Sequence, residues 1–231
     1  MNRTEPTQPA DTDLSALPSL HIDAQGWCPQ AHHLPSPNCD ARSLPEHIEL
    51  LVIHNISLPP GEFGGPWIAD LFANTLDAKA HPYFAQLQSL RVSAHFLIRR
   101  DGQLVQFVST LQRAWHAGAS CFDGRERCND FSIGVEMEGT DTVPFCDEQY
   151  QVLCRLTRAL QQAHPLRVVT GHQHIAPGRK TDPGPFFDWH RFQSQWASGV
   201  AADAPESDAE AGLAFVQAEQ KKADIASKKT R

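Results

Sequence analysis

The stretch from Gly171 to Gly184, GHQHIAPGRKTDPG, confines a histidine, a lysine and an aspartate to one loop, more chemistry than a connection between elements requires. His172 follows the strand-like run Arg167–Thr170, and Asp182 opens an Asp-Pro-Gly turn ten residues later. An earlier histidine, His54, ends another short apolar run, Leu50–Ile53. Two strand-end histidines and one carboxylate make a three-ligand set for Zn2+ with a fourth position open to water. Spacing alone leaves alternatives. His54 and His172 could be hydrogen-bonded sheet histidines, and Asp182 could serve only its turn. His174 would share a face with His172 if that stretch were extended.

Hydrolysis of an unactivated amide also needs a base for the water proton and a donor for the oxyanion. The segment Phe131–Glu138 alternates, sending Phe131, Ile133, Val135 and Met137 one way and Ser132, Gly134, Glu136 and Glu138 the other. Either carboxylate on that polar face fits the base by pattern, Glu136 being preferred, and Lys180 fits the donor. Arg91, Arg127 and Arg179 suit substrate carboxylates, because guanidinium pairs with them bidentately. Trp115, in RAWHAG, offers an aromatic wall for a sugar ring.

These residues need a scaffold in which strand ends converge. Leu50–His54 reads as a central strand, and Pro66 followed by Trp67, Ile68, Leu71 and Phe72 reads as a helix with proline in its first turn. Asp101-Gly102 predicts a hairpin between Ala94–Arg99 and Gln103–Val108. Asp147 fits the cap of a helix carrying Leu153, Leu156 and Leu160 and ending near His164-Pro165, and Phe187, Phe192 and Trp196 belong with a last helix. The alternation predicts a single α/β domain, a central mixed β-sheet packed by helices.

The 231 residues suit one domain with a sizeable core. The net charge of −7 argues against a nucleic-acid coat or an anionic-membrane binder, so local arginines must meet any anionic ligand. Residues 1–20 are expected as a flexible extension, 21–197 as the catalytic domain and 198–231 as a charged, flexible tail. No basic stretch followed by an apolar one opens the chain and no run approaches a membrane span, which predicts a cytoplasmic protein. The six cysteines form no CxxC pair and read as free thiols in that compartment.

Taken together, VIHNISLPPGEFGGPWI, HPYF, RVSAHFLIRRDGQLVQFV, RAWHAG, GRERCNDFSIGVEMEGTD and GHQHIAPGRKTDPGPFFDW closely resemble the AmpD-type 1,6-anhydro-N-acetylmuramyl-L-alanine amidases, over about residues 25–190. These are zinc-dependent type 2 N-acetylmuramoyl-L-alanine amidases, similar in fold to peptidoglycan recognition proteins and phage lysozyme-type amidases. The resemblance implies His54, His172 and Asp182 as zinc ligands, with Glu136 rather than Glu138, and Lys180, in catalysis. It also implies Asn55, Arg91, Trp115, Arg127 and Arg179 along a muropeptide site. The activity so implied is cleavage of the muramyl–L-alanine amide of a small-molecule muropeptide in peptidoglycan recycling, which lowers β-lactamase induction; a cytosolic monomer is the expected form. The alternative is a muropeptide-binding module without catalysis. The departures from the family pattern are the N-terminal extension, the charged tail and Gln173-His174 inside the zinc loop.

Overall fold

The structure, a computed structural model, describes residues 19–44, 47–203 and 212–216. Its strands are β1 (His32–His33), β2 (Cys39–Ala41), β3 (Leu50–Ile56), β4 (Phe96–Ile98), β5 (Leu104–Gln106), β6 (Gln112–Ala114), β7 (Cys121–Phe122), β8 (Arg125–Glu126), β9 (Ser132–Glu138), β10 (Val168–Gly171) and β11 (Ala214–Val216). The α-helices are α1 (Trp67–Phe72), α2 (Asp147–Ala163), α3 (His172–Ile175) and α4 (Trp189–Asp203). Seven strands form the main sheet in the order β1-β5-β4-β9-β3-β10-β11, parallel at every pairing except β4 with β5.

The apolar run of β3 puts it at the centre, where a strand covered on both faces needs no alternation. On one face Leu51, Ile53, Ile133, Val135 and Met137 share a core with Leu153, Leu156 and Leu160 of α2 and Phe192 of α4. On the other, Leu50 and Val52 cluster with Ala117, Cys128, Phe131 and Ile175, residues from α3 and the segments that close over the sheet. The polar face of β9 is therefore covered: all seven of its residues are buried. The Asp101-Gly102 hairpin joins β4 to β5, with Gly102 at a φ of 82° that the turn requires.

Two details differ from the sequence reading, and one alternative that spacing left open is closed. Helix α2 starts at Asp147 but its cap is Cys146, whose N–H donates to Gln149 Oε1 at 3.0 Å; Asp147 instead pairs with Arg191 at 2.6 Å. His172 opens a helical turn directly after β10, so the stretch is not extended and His174 does not share the orientation of His172. The boundary at 197 falls inside α4, and part of the expected tail joins the sheet. There β10 would otherwise present unpaired backbone groups at an edge. Ala214 N–H donates to the Arg167 carbonyl at 2.8 Å, Leu213 and Phe215 are buried, and the Phe215 ring lies 5.2 Å from that of Phe192 and 5.7 Å from that of Trp196. The extension over 1–20 lies outside the described residues as far as residue 18, as do 204–211 and 217–231 of the tail. Among the described residues no helix is long and apolar enough to cross a membrane.

Candidate metal centre

His54 lies near the carboxyl end of β3, in register with Glu136 on β9, and His172 follows the last residue of β10. Carboxyl ends of neighbouring parallel strands are where an α/β sheet gathers functional groups. The loop after α3 returns Asp182 to them. His54 Nδ1, His172 Nδ1 and Asp182 Oδ2 meet with separations of 3.0, 2.9 and 3.0 Å. Those edges are close to the roughly 3.3 Å edge of a tetrahedron built on zinc–ligand distances of about 2.0 Å.

The outer nitrogens fix which atoms carry protons. His172 Nε2 is 3.0 Å from the carbonyl of Ala117, which can only accept, so Nε2 is protonated and Nδ1 is left with a lone pair. For His54 the same conclusion comes through a chain. Ser132 Oγ donates to the Cys128 carbonyl at 2.6 Å, so it accepts from His116 Nε2 at 3.2 Å; His116 Nδ1 then accepts from His54 Nε2 at 3.0 Å. Two imidazole lone pairs and a carboxylate oxygen thus face one another with no proton between them. A divalent cation is the species that such a donor set fits.

The electrostatics agree. Burial, reinforced by His172 and Lys180 and opposed by Asp182, lowers the His54 pKa to about 4, so the ring is neutral at pH 7. Burial works to raise the Asp182 carboxyl, and the group is held well below the carboxylate range only if the two rings present Nδ1–H or positive charge to it; with both Nδ1 atoms unprotonated, a bound cation takes over that role. Glu136 is the opposite case. Burial and the charge of Asp182 push its carboxyl well up, Lys180 opposes them, and the buried Oε2 has no hydrogen-bond partner among the described residues. Lys180 itself is exposed.

Around this centre the remaining predicted residues are held in different ways. Asn55 donates from Nδ2 to Asp141 Oδ1 at 2.7 Å and to the Pro183 carbonyl at 3.0 Å, tying the strand end to the turn that carries Asp182. Arg179 donates from Nη2 to the carbonyls of Ala117 and Ala119 at 2.8 and 2.6 Å, so its guanidinium fastens the loop beside His172. Arg91 is exposed and bonded to the carbonyls of Gln88 and Leu90, and exposed Arg127 pairs with Asp130 at 3.3 Å; these contacts are local and do not join either residue to the triad. Trp115 is partly exposed beside His116, its backbone N–H donating to Ser93 Oγ at 3.1 Å. His174 turns away: its Nδ1 accepts the Gly171 N–H at 3.2 Å, and its ring lies 5.8 Å from that of Trp189.

The sequence matches the family described as N-acetylmuramoyl-L-alanine amidase over residues 44–185. It is 61% identical over 171 residues to the 1,6-anhydro-N-acetylmuramyl-L-alanine amidase AmpD of Escherichia coli K12, spanning 73% of this chain and 93% of that protein. The chain belongs to the AmpD-type amidase family. The crystal structure of a selenomethionine AmpD derivative superposes on this amidase with a TM-score of 0.71 at 59% identity, covering 74% of this chain and 96% of that one. An endolysin amidase from Clostridium intestinale, 16% identical, shares the fold with a TM-score of 0.53 over 74% of this chain and 98% of its own.

Several groups that shape the centre of this amidase have no chemical signature in the sequence. The carbonyls of Ala117 and Cys128 are backbone, and Ser132 reads as one more polar strand residue. Gly134 did carry a signal, since a glycine inside a strand marks a close approach. A Cβ there would lie 2.5 Å from Cγ of His116.

Proposed function

We propose that the protein hydrolyses the amide joining the lactyl group of 1,6-anhydro-N-acetylmuramic acid to L-alanine of the stem peptide, with Zn2+ held by His54, His172 and Asp182. The observation that carries this reading is the meeting of three lone-pair donors near an unpartnered, buried Glu136 carboxyl. The name of the Escherichia coli relative supports the choice of bond. Zn2+ bound there supplies a Lewis acid that polarises the scissile carbonyl and lowers the pKa of water to about 7. Glu136 takes the proton of the attacking water, whose oxygen bonds to the carbonyl carbon. Lys180 supplies the ammonium that stabilises the oxyanion. Collapse then breaks the C–N bond, and Glu136 returns the proton to the leaving amine of L-alanine.

Arg91, Arg127 and Arg179 supply cations for the carboxylates of the stem peptide, Trp115 a wall for the sugar ring and Asn55 a polar edge. In this reading the enzyme is a cytoplasmic monomer of cell-wall recycling, and removing anhydromuropeptides lowers β-lactamase induction. Mass-spectrometric product analysis tests the reaction, with an anhydromuropeptide incubated in parallel with zinc and with a chelator. Zinc-dependent release of a free peptide beginning with L-alanine is the expected result. A folded, zinc-loaded protein that binds the muropeptide and releases nothing would instead be a binding module.

A further inference from the structure

We propose that the two-residue segment His116–Ala117 is the template that sets both histidine ligands, with His116 acting as a positioning residue for His54. The inference rests on the reading of His54, His172 and Asp182 as a metal site. It concerns what makes those two rings present Nδ1, rather than Nε2, to the shared point.

An imidazole beside a metal has two nitrogens and two neutral tautomers, and the partner of the outer nitrogen selects between them. Here both outer partners come from adjacent residues. The His116 side chain takes the proton of His54 Nε2 at 3.0 Å, and the Ala117 carbonyl takes that of His172 Nε2 at 3.0 Å. One side-chain oxygen pins the pair: Asn129 Oδ1 accepts the N–H of His116 at 3.2 Å and that of Ala117 at 2.8 Å. A loop that would otherwise be free to shift is thereby held in the conformation that serves both ligands.

The His116 ring is fixed from its other side as well. Its Nε2 is engaged by Ser132 Oγ at 3.2 Å, and the Ser132 hydroxyl is committed to the Cys128 carbonyl at 2.6 Å. The ring also stands edge-on to His95 at a centroid separation of 5.7 Å, and His95 is held by the N–H of Gly134 at 3.0 Å. The space is cut into β9 itself, since a Cβ at Gly134 would lie 2.5, 2.6 and 2.8 Å from three atoms of the His116 ring. A ring so placed, with Nδ1 on His54 and Nε2 on a hydroxyl that is itself committed to a backbone carbonyl, has the form of a device for holding one tautomer.

The test compares zinc affinities of the full chain by competition with a chromophoric chelator, for wild type, His116→Leu, His116→Asn and Ser132→Ala. Thermal melting of each metal-free protein and the visible spectrum of its Co2+ form accompany the titrations. Loss of an outer hydrogen bond to a ligand histidine weakens metal binding by roughly 10- to 100-fold. That loss is expected for His116→Leu, with an altered Co2+ spectrum and the metal-free melting curve retained. Asparagine places an amide oxygen near the position of Nδ1, so His116→Asn should recover most of the affinity. Wild-type affinity in His116→Leu would overturn the proposal, and so would an Asn variant as weak as the Leu variant with both folded. If His116→Leu fails to fold, Ser132→Ala decides: several-fold weaker binding supports the relay, and unchanged binding overturns it. A wild-type protein that binds no zinc would instead remove the metal reading itself.

Discussion

Glu136 and Glu138 stand two residues apart on one face of β9, and both are buried, yet their hydrogen bonding differs. Glu138 is saturated: Oε1 accepts the Gly64 N–H at 2.7 Å and meets Arg99 at 3.3 Å, while Oε2 accepts the Arg100 N–H at 3.2 Å. Glu136 has a buried oxygen with no partner, and its carboxyl is pushed up by burial and by Asp182. One carboxylate is fastened into the fold, and the other is left with an unspent affinity for protons. The difference teaches that burial does not assign a role to a strand carboxylate. What separates the two is whether backbone donors from a neighbouring loop reach them.

The sharpest way to break this comparison is to remove each carboxylate and read both turnover and stability. Glu136→Ala should lower turnover by roughly 10²- to 10⁴-fold, the range for a positioned general base, while the bound zinc measured by metal analysis stays at the wild-type level. Retained turnover with zinc in place would remove Glu136 from the mechanism. Lys180→Ala should cost roughly 10²- to 10³-fold, as for loss of an oxyanion donor. It should also move the acid limb of the pH–rate profile to higher pH, because the Lys180 charge is what lowers the Glu136 carboxyl. A limb left in place would show that the titrating group is not Glu136.

Stability should run the other way. Glu138→Ala leaves Arg99 and two backbone N–H groups without their acceptor, and should destabilise the fold by about 3 kcal/mol in denaturant titration. Glu136→Gln relieves an uncompensated buried carboxyl, and the metal-free protein should be as stable as wild type or more so. If the two substitutions destabilised equally, the contrast between a fastening carboxylate and a working one would fail.

The contrast was only partly legible in the sequence. That His54, His172 and Asp182 could meet was readable, because strand ends in a parallel sheet converge and a ten-residue loop can return to its origin. The alternation of β9 gave the shared face of Glu136 and Glu138, but the pattern cannot display Gly64 and Arg100, the donors that distinguish them. The same limit applies to the ligand tautomers, which depend on the carbonyls of Ala117 and Cys128, groups every residue has. Spacing alone left His174 open as a ligand and the family resemblance favoured His172; the helical turn of α3 supplies the physical reason, since a two-residue spacing means one face in a strand and nearly opposite faces in a helix. Leu213–Val216 was missed because its apolar signal is four residues long and its partners, Phe192, Trp196 and β10, are remote in sequence.

A smaller effect separates the metal site from the rest of the buried histidines. His164, whose Nε2 lies 2.9 Å from Thr110 Oγ1, has its pKa lowered to about 4 by burial and by Arg42, and burial holds His95 well below its ordinary value too. Both lie outside the proposed ligand set, so they act on folding with or without zinc. The unfolded chain protonates near pH 6.5, and the folded protein does not until about pH 4 for His164. Between those values the unfolded state binds more protons, so stability is lost as pH falls through the window. Glu136 carries the opposite sign: a carboxyl raised on folding favours the folded state at low pH and loses that contribution as pH rises. It offsets only part of the histidine effect, because several rings titrate against one carboxyl. Denaturant titrations of the metal-free protein from pH 7 to pH 5 should therefore show falling stability. In His164→Gln the fall should be shallower by up to about 1.4 kcal/mol per pH unit. An unchanged slope would mean that His164 is not held neutral, and that the acid sensitivity belongs to His95 and the histidines of the metal centre instead.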